Sequence, residues 1–397
     1  MKVICDRAAL LDAINIVSGA AAVRTPRAQL TCVKLSATKK GAAGELTLLA
    51  TDGELAIRLT LAQVEVQKPG EALIPADKLR QIISAEDTEP TLTLETDGEQ
   101  LSIQGQDAFF KIFGYPPADF PPVPEFGDVV KGSSGAPRAE TVFTHLAGAL
   151  AALVNRTIFA TARENSRYAI NGVLMKRDGK RLEMVATDGR RLALCRSSLP
   201  AAEKDAKALS CIIPTKALGM IQKLIVDGEE HVQIAITDNQ IFFNFTGHSD
   251  KQADGPGRAM LASNLVEGTF PPYEDVIPRD QDKRATFDKA VLASAVRRAG
   301  LLTNEDSRGV RMRFTAKTKQ LELSSRAPEV GEAKVDVPVT AYDGEDIEIG
   351  FNPQFIADAL KVIPENEVVI ELKAPNKPGL VKSGADFVYV VMPVNLT

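Results

Sequence analysis

The sequence predicts an α+β chain of three repeated domains, each with two helices packed on antiparallel sheets. Three observations carry that prediction. Pro75, Pro214 and Pro353 are spaced by 139 residues at each step, and each follows a strand-like run and opens a helical one. A second helical run recurs near the start of every third, at 10–17, 146–154 and 291–299. A strand-turn-strand pattern with Asp-Gly at its tip occurs at 48–57 and, more fully, at 182–196. Self-similarity at one domain length marks a unit used repeatedly.

The first third opens with a short strand, Val3-Ile4-Cys5, before its helix. Thr141-Val142-Phe143 and Ala285-Thr286-Phe287 stand in the same relation to the helices of the other two thirds. Several antiparallel strands follow in each third, and then the proline-led helix at 76–83, 215–221 or 354–360. Proline near a first helical turn forfeits no useful N–H and presets φ. At 182–196 two runs of β-compatible residues meet at Asp188-Gly189, a dipeptide that tolerates the positive φ angles of a tight I′ turn. The first-third copy has Glu54-Leu55 where the middle one has Arg190-Arg191-Leu192, and Ser324-Ser325-Arg326-Ala327-Pro328 in the last third has no Asp-Gly.

The joints are read from composition. Pro116 to Pro124, followed by Lys131-Gly132-Ser133-Ser134-Gly135-Ala136-Pro137, predicts an extended strand end and a flexible linker. Phe270-Pro271-Pro272-Tyr273 to Ile277-Pro278 echoes it before the last third, giving domains 1–128, 138–278 and 279–397. The run 250–258, rich in Gly, Asp and Lys, reads as a solvated loop.

With 397 residues, 44% hydrophobic and 25% charged, the chain is globular and needs more than one core. Charge appears before any apolar run of signal-peptide length, and no later run approaches the ~18 residues of a membrane span, so a cytoplasmic protein without a membrane partner is expected. Cys5, Cys32, Cys195 and Cys211 are scattered among apolar residues, as buried reduced thiols would be. His145, His231 and His248 lack metal-ligand spacing, and Asp52 and Asp188 are explained by turn geometry. No phosphate-cradling glycine loop or nucleophile elbow is present. Neither catalysis nor a cofactor or metal is expected.

The net charge of −5 excludes a protein that is basic all over but not a basic lining. Arg156 and Arg163 are seven residues apart, as are Lys216 and Lys223, a spacing that returns to one helix face. Lys289, Arg297 and Arg298 extend the bias into the last third, and Arg24, Lys78 and Arg80 into the first. One such pair is a solvated face. Repetition through three domains of an acidic chain points to a shared anionic partner.

The ordered set Val17-Ser18-Gly19, Pro117-Ala118-Asp119-Phe120-Pro121, Arg167-Tyr168-Ala169-Ile170-Asn171-Gly172, Val185-Ala186-Thr187-Asp188-Gly189-Arg190-Arg191-Leu192-Ala193, Arg308-Gly309-Val310-Arg311, Ile347-Glu348-Ile349-Gly350-Phe351-Asn352 and Tyr389-Val390-Val391-Met392-Pro393 resembles one family along essentially the whole chain. That family is the bacterial DNA polymerase III β subunit, the sliding clamp. The resemblance implies a head-to-tail homodimer that closes a ring around double-stranded DNA, helices lining the hole and sheets forming the outer wall. It implies sequence-independent phosphate contacts, with Arg24, Arg167 and Tyr168 facing DNA by motif match. It also implies a groove, formed by the hairpin and the C-terminal strand, for short hydrophobic peptides of the replicative polymerase, the clamp loader and repair proteins. Matched groove positions are Ile170, Thr187, Gly189, Arg190, Arg191, Leu192, Pro271, Val276, Val390, Met392 and Pro393. Leu301 and Leu302 match interface leucines, and Phe110 and Ile112 the facing edge strand. Departures from the family pattern are Asp77 and Ala169, in place of a basic residue and a tyrosine, and Arg190, in place of histidine. The alternative reading is a three-domain binding scaffold of the same fold that does not encircle DNA.

Overall fold

The computed structural model describes residues 1–40, 43–62, 64–163, 168–200, 208–248, 257–303 and 309–395. It folds as two compact units, one of Met1–Ala151 with Lys216–Leu265, the other of Ala152–Thr215 with Val266–Thr397. The middle repeat is therefore shared between them. The cause lies in the sheets, because a strand edge with unpaired N–H and C=O groups favours a partner strand.

In the first unit, Ala259–Asn264 of the middle repeat pairs antiparallel with Leu55–Ala62 of the first. The result is an eight-stranded sheet ordered Thr141–Leu146, His231–Ile236, Gln240–Gly247, Ala259–Asn264, Leu55–Ala62, Ala43–Thr51, Cys32–Lys40, Gly70–Pro75. A five-stranded sheet completes the unit and ends on the edge strand Phe109–Phe113. In the second unit, Arg191–Ser198 pairs antiparallel with Phe387–Val391, joining middle and last repeats in a nine-stranded sheet. A four-stranded sheet there ends on the edge strands Gly331–Pro338 and Ile347–Phe351.

Helix α1 (Arg7–Val17) buries Leu10, Ala13, Ile14 and Val17, the spacing of one apolar stripe. Its N-terminus is fixed by the Asp6 carboxylate, which accepts from the Ala9 N–H at 2.8 Å. Helix α2 (Ala76–Ala85) buries Leu79 and Ile83. Pro75 precedes it as the last residue of a strand, and Pro214 likewise precedes its helix, whereas Pro353 is a first helical residue behind the Asn352 cap.

Between the proline-rich run 116–124 and the Gly/Ser-rich run 131–137, the joint after the first third holds a helix that composition does not predict. This helix, α3 (Phe126–Lys131), buries Phe126 and Val129 among Ala56, Ala235, Phe242 and Met260. Glu125 ahead of it pairs with Arg58, and Gly132, at φ 65°, ends it in the left-handed region. Ser133 Oγ then donates to Asp128 Oδ1 at 2.8 Å. Composition reads a run this short as loop because only two residues carry its burial.

Among the described residues the remaining α-helices are α4 (Ala147–Asn155), α5 (Thr215–Leu224), α6 (Lys289–Ala299) and α7 (Pro353–Val362). Asp288 caps α6 as Asp6 caps α1, accepting from Val291 N–H at 2.9 Å. No described helix is long and apolar enough to cross a membrane. All four cysteines are buried free thiols, and burial pushes Cys5 and Cys211 up to about 12.

His145 is only 2% exposed within Thr141–Leu146, and burial pushes its imidazole down to about 4. Because the folded value lies below that of the unfolded chain, protons favour unfolding. The contribution to stability is complete above pH ~6.5 and is lost as pH falls toward the folded value, by on the order of 3 kcal/mol. Urea titrations at several pH values should show this loss between pH ~6.5 and ~4, and His145→Leu should flatten the profile; equal slopes in both proteins would contradict it.

Candidate partner groove and cationic surfaces

The central hairpin pairs Arg181–Thr187 with Arg191–Ser198, ending at Thr187 opposite Leu192. Its tip is not the I′ turn expected from Asp-Gly. Such a turn needs positive φ at both central residues, and here only Gly189, at φ 84°, has it. The tip is instead closed by side chains. Asp188 Oδ1 accepts from the N–H groups of Arg190 and Arg191, both at 3.0 Å. Thr187 Oγ1 accepts from Gly189 N–H at 3.1 Å and donates to Arg191 O at 2.7 Å. Local side-chain acceptors of this kind are what Asp and Thr offer a turn.

The first-repeat copy is built the same way. Asp52 Oδ1 accepts from Glu54 and Leu55, and Thr51 Oγ1 bridges Gly53 N–H and Leu55 O. The two tips differ in how they are tied to a helix. Lys216 of α5 donates to Asp52 Oδ2 at 2.5 Å. Burial works against the Asp52 carboxylate, but Lys216 and the two N–H donors outweigh it and hold its pKa below the usual value. In the middle repeat the cation sits on the hairpin. Arg191 donates to Asp188 Oδ2 at 3.0 Å, to Asp358 Oδ2 of α7 at 2.8 Å and to Phe159 O at 2.8 Å. Its guanidinium also lies over Phe355, 4.4 Å from the ring centroid. Burial opposes its charge, yet Asp358, Tyr389 and Asp188 raise its pKa above the ordinary value.

Behind the tip, Leu192 stands opposite Val390 and Met392 N–H donates to Arg190 O at 2.9 Å. Leu192 and Val390 belong to a buried cluster with Leu174, Val185, Ile212 and Tyr273, against which Phe270 and Ile277 pack. Pro271 and Val276 flank the short turn Tyr273–Asp275. That turn is held by Tyr273, whose hydroxyl donates to Glu183 Oε1 at 2.5 Å, and by Lys176, which pairs with Glu274 at 2.8 Å. Burial disfavours the Glu183 carboxylate, but Tyr273, Arg181 and Arg196 outweigh this and lower its pKa. Ala169 N–H donates to Thr269 O at 3.2 Å, which ties the segment before Ile170 to the chain leading into that turn. Of the expected groove residues, Leu192 and Val390 lie in the apolar cluster, Met392 is hydrogen-bonded to the hairpin tip, and Pro271 and Val276 flank the turn whose Tyr273 is a cluster member. Val276 and Met392 are exposed at 46% and 38%, Arg190 is exposed, Pro271 and Pro393 are half-buried, and Leu192, Val390, Ile170 and Thr187 are buried. Arg191 is engaged from every side. Sequence reasoning missed Phe159, Phe355 and Asp358, because no local pattern records a partner 167 residues away.

The cationic residues divide between the units. In the first, Arg24 is exposed on a loop closed by Ala22 N–H to Leu30 O at 2.8 Å, and Lys216 and Lys223 are exposed on α5. Arg27, also exposed on that loop, had no motif to mark it. In the second, the matching bond runs from Ala162 N–H to Ile170 O at 2.9 Å, on a loop with exposed Arg163 and 45%-exposed Tyr168; Arg167 lies outside the described residues, as do 250–256. Helix α4 ends at Asn155, so Arg156 and Arg163 do not share a helix face as their spacing predicts. Arg156 is half-buried near Cys195 and Glu365. Lys289, Arg297 and Lys361 line a crevice of about 1000 Å³ between α6 and α7. Asp77 sits in the first turn of α2, 3.5 Å from Arg80, where a carboxylate suits the helix N-terminus.

Two edges carry exposed apolar groups. In Phe109–Phe113, Phe109 and Phe113 are 62% and 71% exposed, Phe110 is half-buried and Ile112 is buried. Leu301 is 75% exposed and Leu302 half-buried in the turn Gly300–Leu302, beside Gly331 of another edge strand.

Family models for the DNA polymerase III beta subunit match in order: the N-terminal domain at 1–124, the central domain at 147–272 and the C-terminal domain at 274–395. A beta sliding clamp of Pseudomonas putida is 31% identical over 393 residues, covering 98% of this chain and 99% of that protein. The beta sliding clamp of Escherichia coli K12 is 29% identical over the whole of both chains. Among solved structures, a Pseudomonas aeruginosa sliding clamp bound to griselimycin superposes with a TM-score of 0.86 at 30% identity, covering 100% of both chains.

The tip geometry makes a stability prediction. Asp188→Ala removes the acceptor of two N–H groups and one partner of Arg191, and should cost about 2 kcal/mol in urea denaturation; a change below ~0.5 kcal/mol would mean that the tip holds without it.

Proposed function

Because this chain belongs to the DNA polymerase III beta subunit family, we propose that it works as a sliding clamp, a processivity factor that encircles duplex DNA and tethers the replicative polymerase and other DNA-processing proteins. The observation that carries the reading is the ordered match of all three clamp domains over 1–124, 147–272 and 274–395. It favours the encircling clamp over a scaffold that merely shares the fold. The domain limits proposed with this reading are 1–128, 138–278 and 279–397.

In this reading Arg24, Arg156, Arg163, Arg167, Tyr168, Lys216 and Lys223 meet the DNA. Their contacts are to phosphates, which hold a duplex without reading its sequence. Affinity of ~10⁻⁴–10⁻⁶ M is enough when a closed ring prevents escape. Arg24, Lys223 and Arg163 are exposed and suited to this role; Lys216 shares its charge with Asp52.

Partner peptides are assigned to the surface around Leu192, Val390, Met392, Pro271 and Val276. Burial of two or three Leu or Phe anchors at ~1.5–3 kcal/mol each, less the ordering of a free peptide, gives roughly micromolar affinity. Partners can then exchange. Flexible Met392 suits a surface that accepts several of them, and exposed Arg190 favours acidic flanks.

Ring closure is assigned to Phe110, Ile112, Leu301 and Leu302. Support comes from the unpaired edges Phe109–Phe113 and Gly331–Pro338, which a second copy can pair. Phe109 and Phe113, exposed on the first edge, add apolar area. Leu301→Asp places a charge in this interface and should yield monomers in analytical ultracentrifugation; a persistent dimer would contradict the assignment.

A further inference from the structure

We infer that Asp358 of α7 is a positioning residue for the partner groove, setting peptide affinity through Arg191. The inference rests on the groove assignment above and deepens it.

Arg191 cannot hold the tip alone. Its three donor directions are used by Asp188, Asp358 and Phe159 O, and its side chain is only 11% exposed. Of these, Asp358 supplies the sole charged contact that is not on the hairpin itself. Gln354 Nε2 donates to the other Asp358 oxygen at 2.6 Å and Lys361 approaches it at 3.4 Å, so the carboxylate is held from its own helix. Phe355 lies on the guanidinium face, and Tyr389 donates to Phe355 O at 3.0 Å. Rigid placement therefore runs from α7 to Arg191, and from Arg191 to the backbone of 187–192 and to Met392, whose N–H is bonded to Arg190 O.

The first repeat is an internal comparison. Its Thr-Asp-Gly tip has the same local bonds, but buried Leu55 replaces Arg191 and Gly219 of α5 stands where α7 has Asp358. There the tie is Lys216 to the tip carboxylate, and no C-terminal strand adjoins it: Leu55–Ala62 pairs with Ala259–Asn264. The arginine-to-helix carboxylate tie accompanies the one hairpin that has groove residues. Breaking a largely buried pair leaves the remaining charge to find new partners, and the tip must shift to supply them.

The test is fluorescence anisotropy with a fluorescein-labelled short peptide bearing Leu and Phe anchors, titrated with the full-length dimer. Asp358→Ala should weaken binding about tenfold, Asp358→Glu should restore most of it, and sedimentation should show dimers throughout. Met392→Ala serves as the groove control. Peptide affinity in Asp358→Ala within about twofold of the parent, with Met392→Ala weakened, would overturn the inference and leave the groove standing. Loss of binding in Asp358→Ala that Asp358→Glu fails to restore would also overturn it, as would loss of the dimer in both Asp358→Ala and the isosteric Asp358→Asn. A parent protein that does not bind the peptide would overturn the groove itself.

Discussion

Backbone pairing at strand edges is the constraint on which the rest of this structure depends. Three copies of a strand-helix-sheet unit would each leave edges open to water or to aggregation. The chain satisfies four of those edges internally, by joining Ala259–Asn264 to Leu55–Ala62 and Arg191–Ser198 to Phe387–Val391. These joints turn sequence repeats into two compact units whose boundaries cut through the middle repeat. The second joint has a further consequence, since it lays the C-terminal strand beside the central hairpin and so brings Leu192, Val390 and Met392 to one place.

Much of this organisation was legible. The equal spacing of Pro75, Pro214 and Pro353 marks where strands give way to α2, α5 and α7, because proline ends a ladder and tolerates a helix start. Short-range chemistry was read less well. Asp-Gly marks the turn at 188–189, but the turn type follows from where the Asp188 carboxylate and Thr187 hydroxyl bond. Helix α3 lies between Pro-rich and Gly/Ser-rich runs and is too short to show a period; it depends on Phe126 and Val129 meeting Phe242 and Met260, residues far along the chain. The seven-residue spacing of Arg156 and Arg163 assumed a helix that stops at Asn155.

The candidate site divides in the same way. Leu192 and Val390, both singled out by motif, meet in one buried cluster because the register sets them opposite each other. Motifs do not show that Arg191 is spent on structure. Its position depends on α7 and on Phe159, so the shape of the hairpin tip is set in part by residues far from it in sequence. The acidic total and the exposed Arg24, Arg163, Lys216 and Lys223 are likewise compatible, since one protein can present cations to a phosphate backbone while its remaining surface is acidic.

Encirclement of DNA is a topological property and is tested by retention on DNA. The protein is placed on nicked circular duplex with a bacterial clamp loader, the complex is isolated by gel filtration, and half is cut once with a restriction enzyme. Protein that stays with the circle and leaves the linear molecule is the predicted result. Equal retention on both, or equal loss from both, would contradict a ring that holds DNA by encircling it.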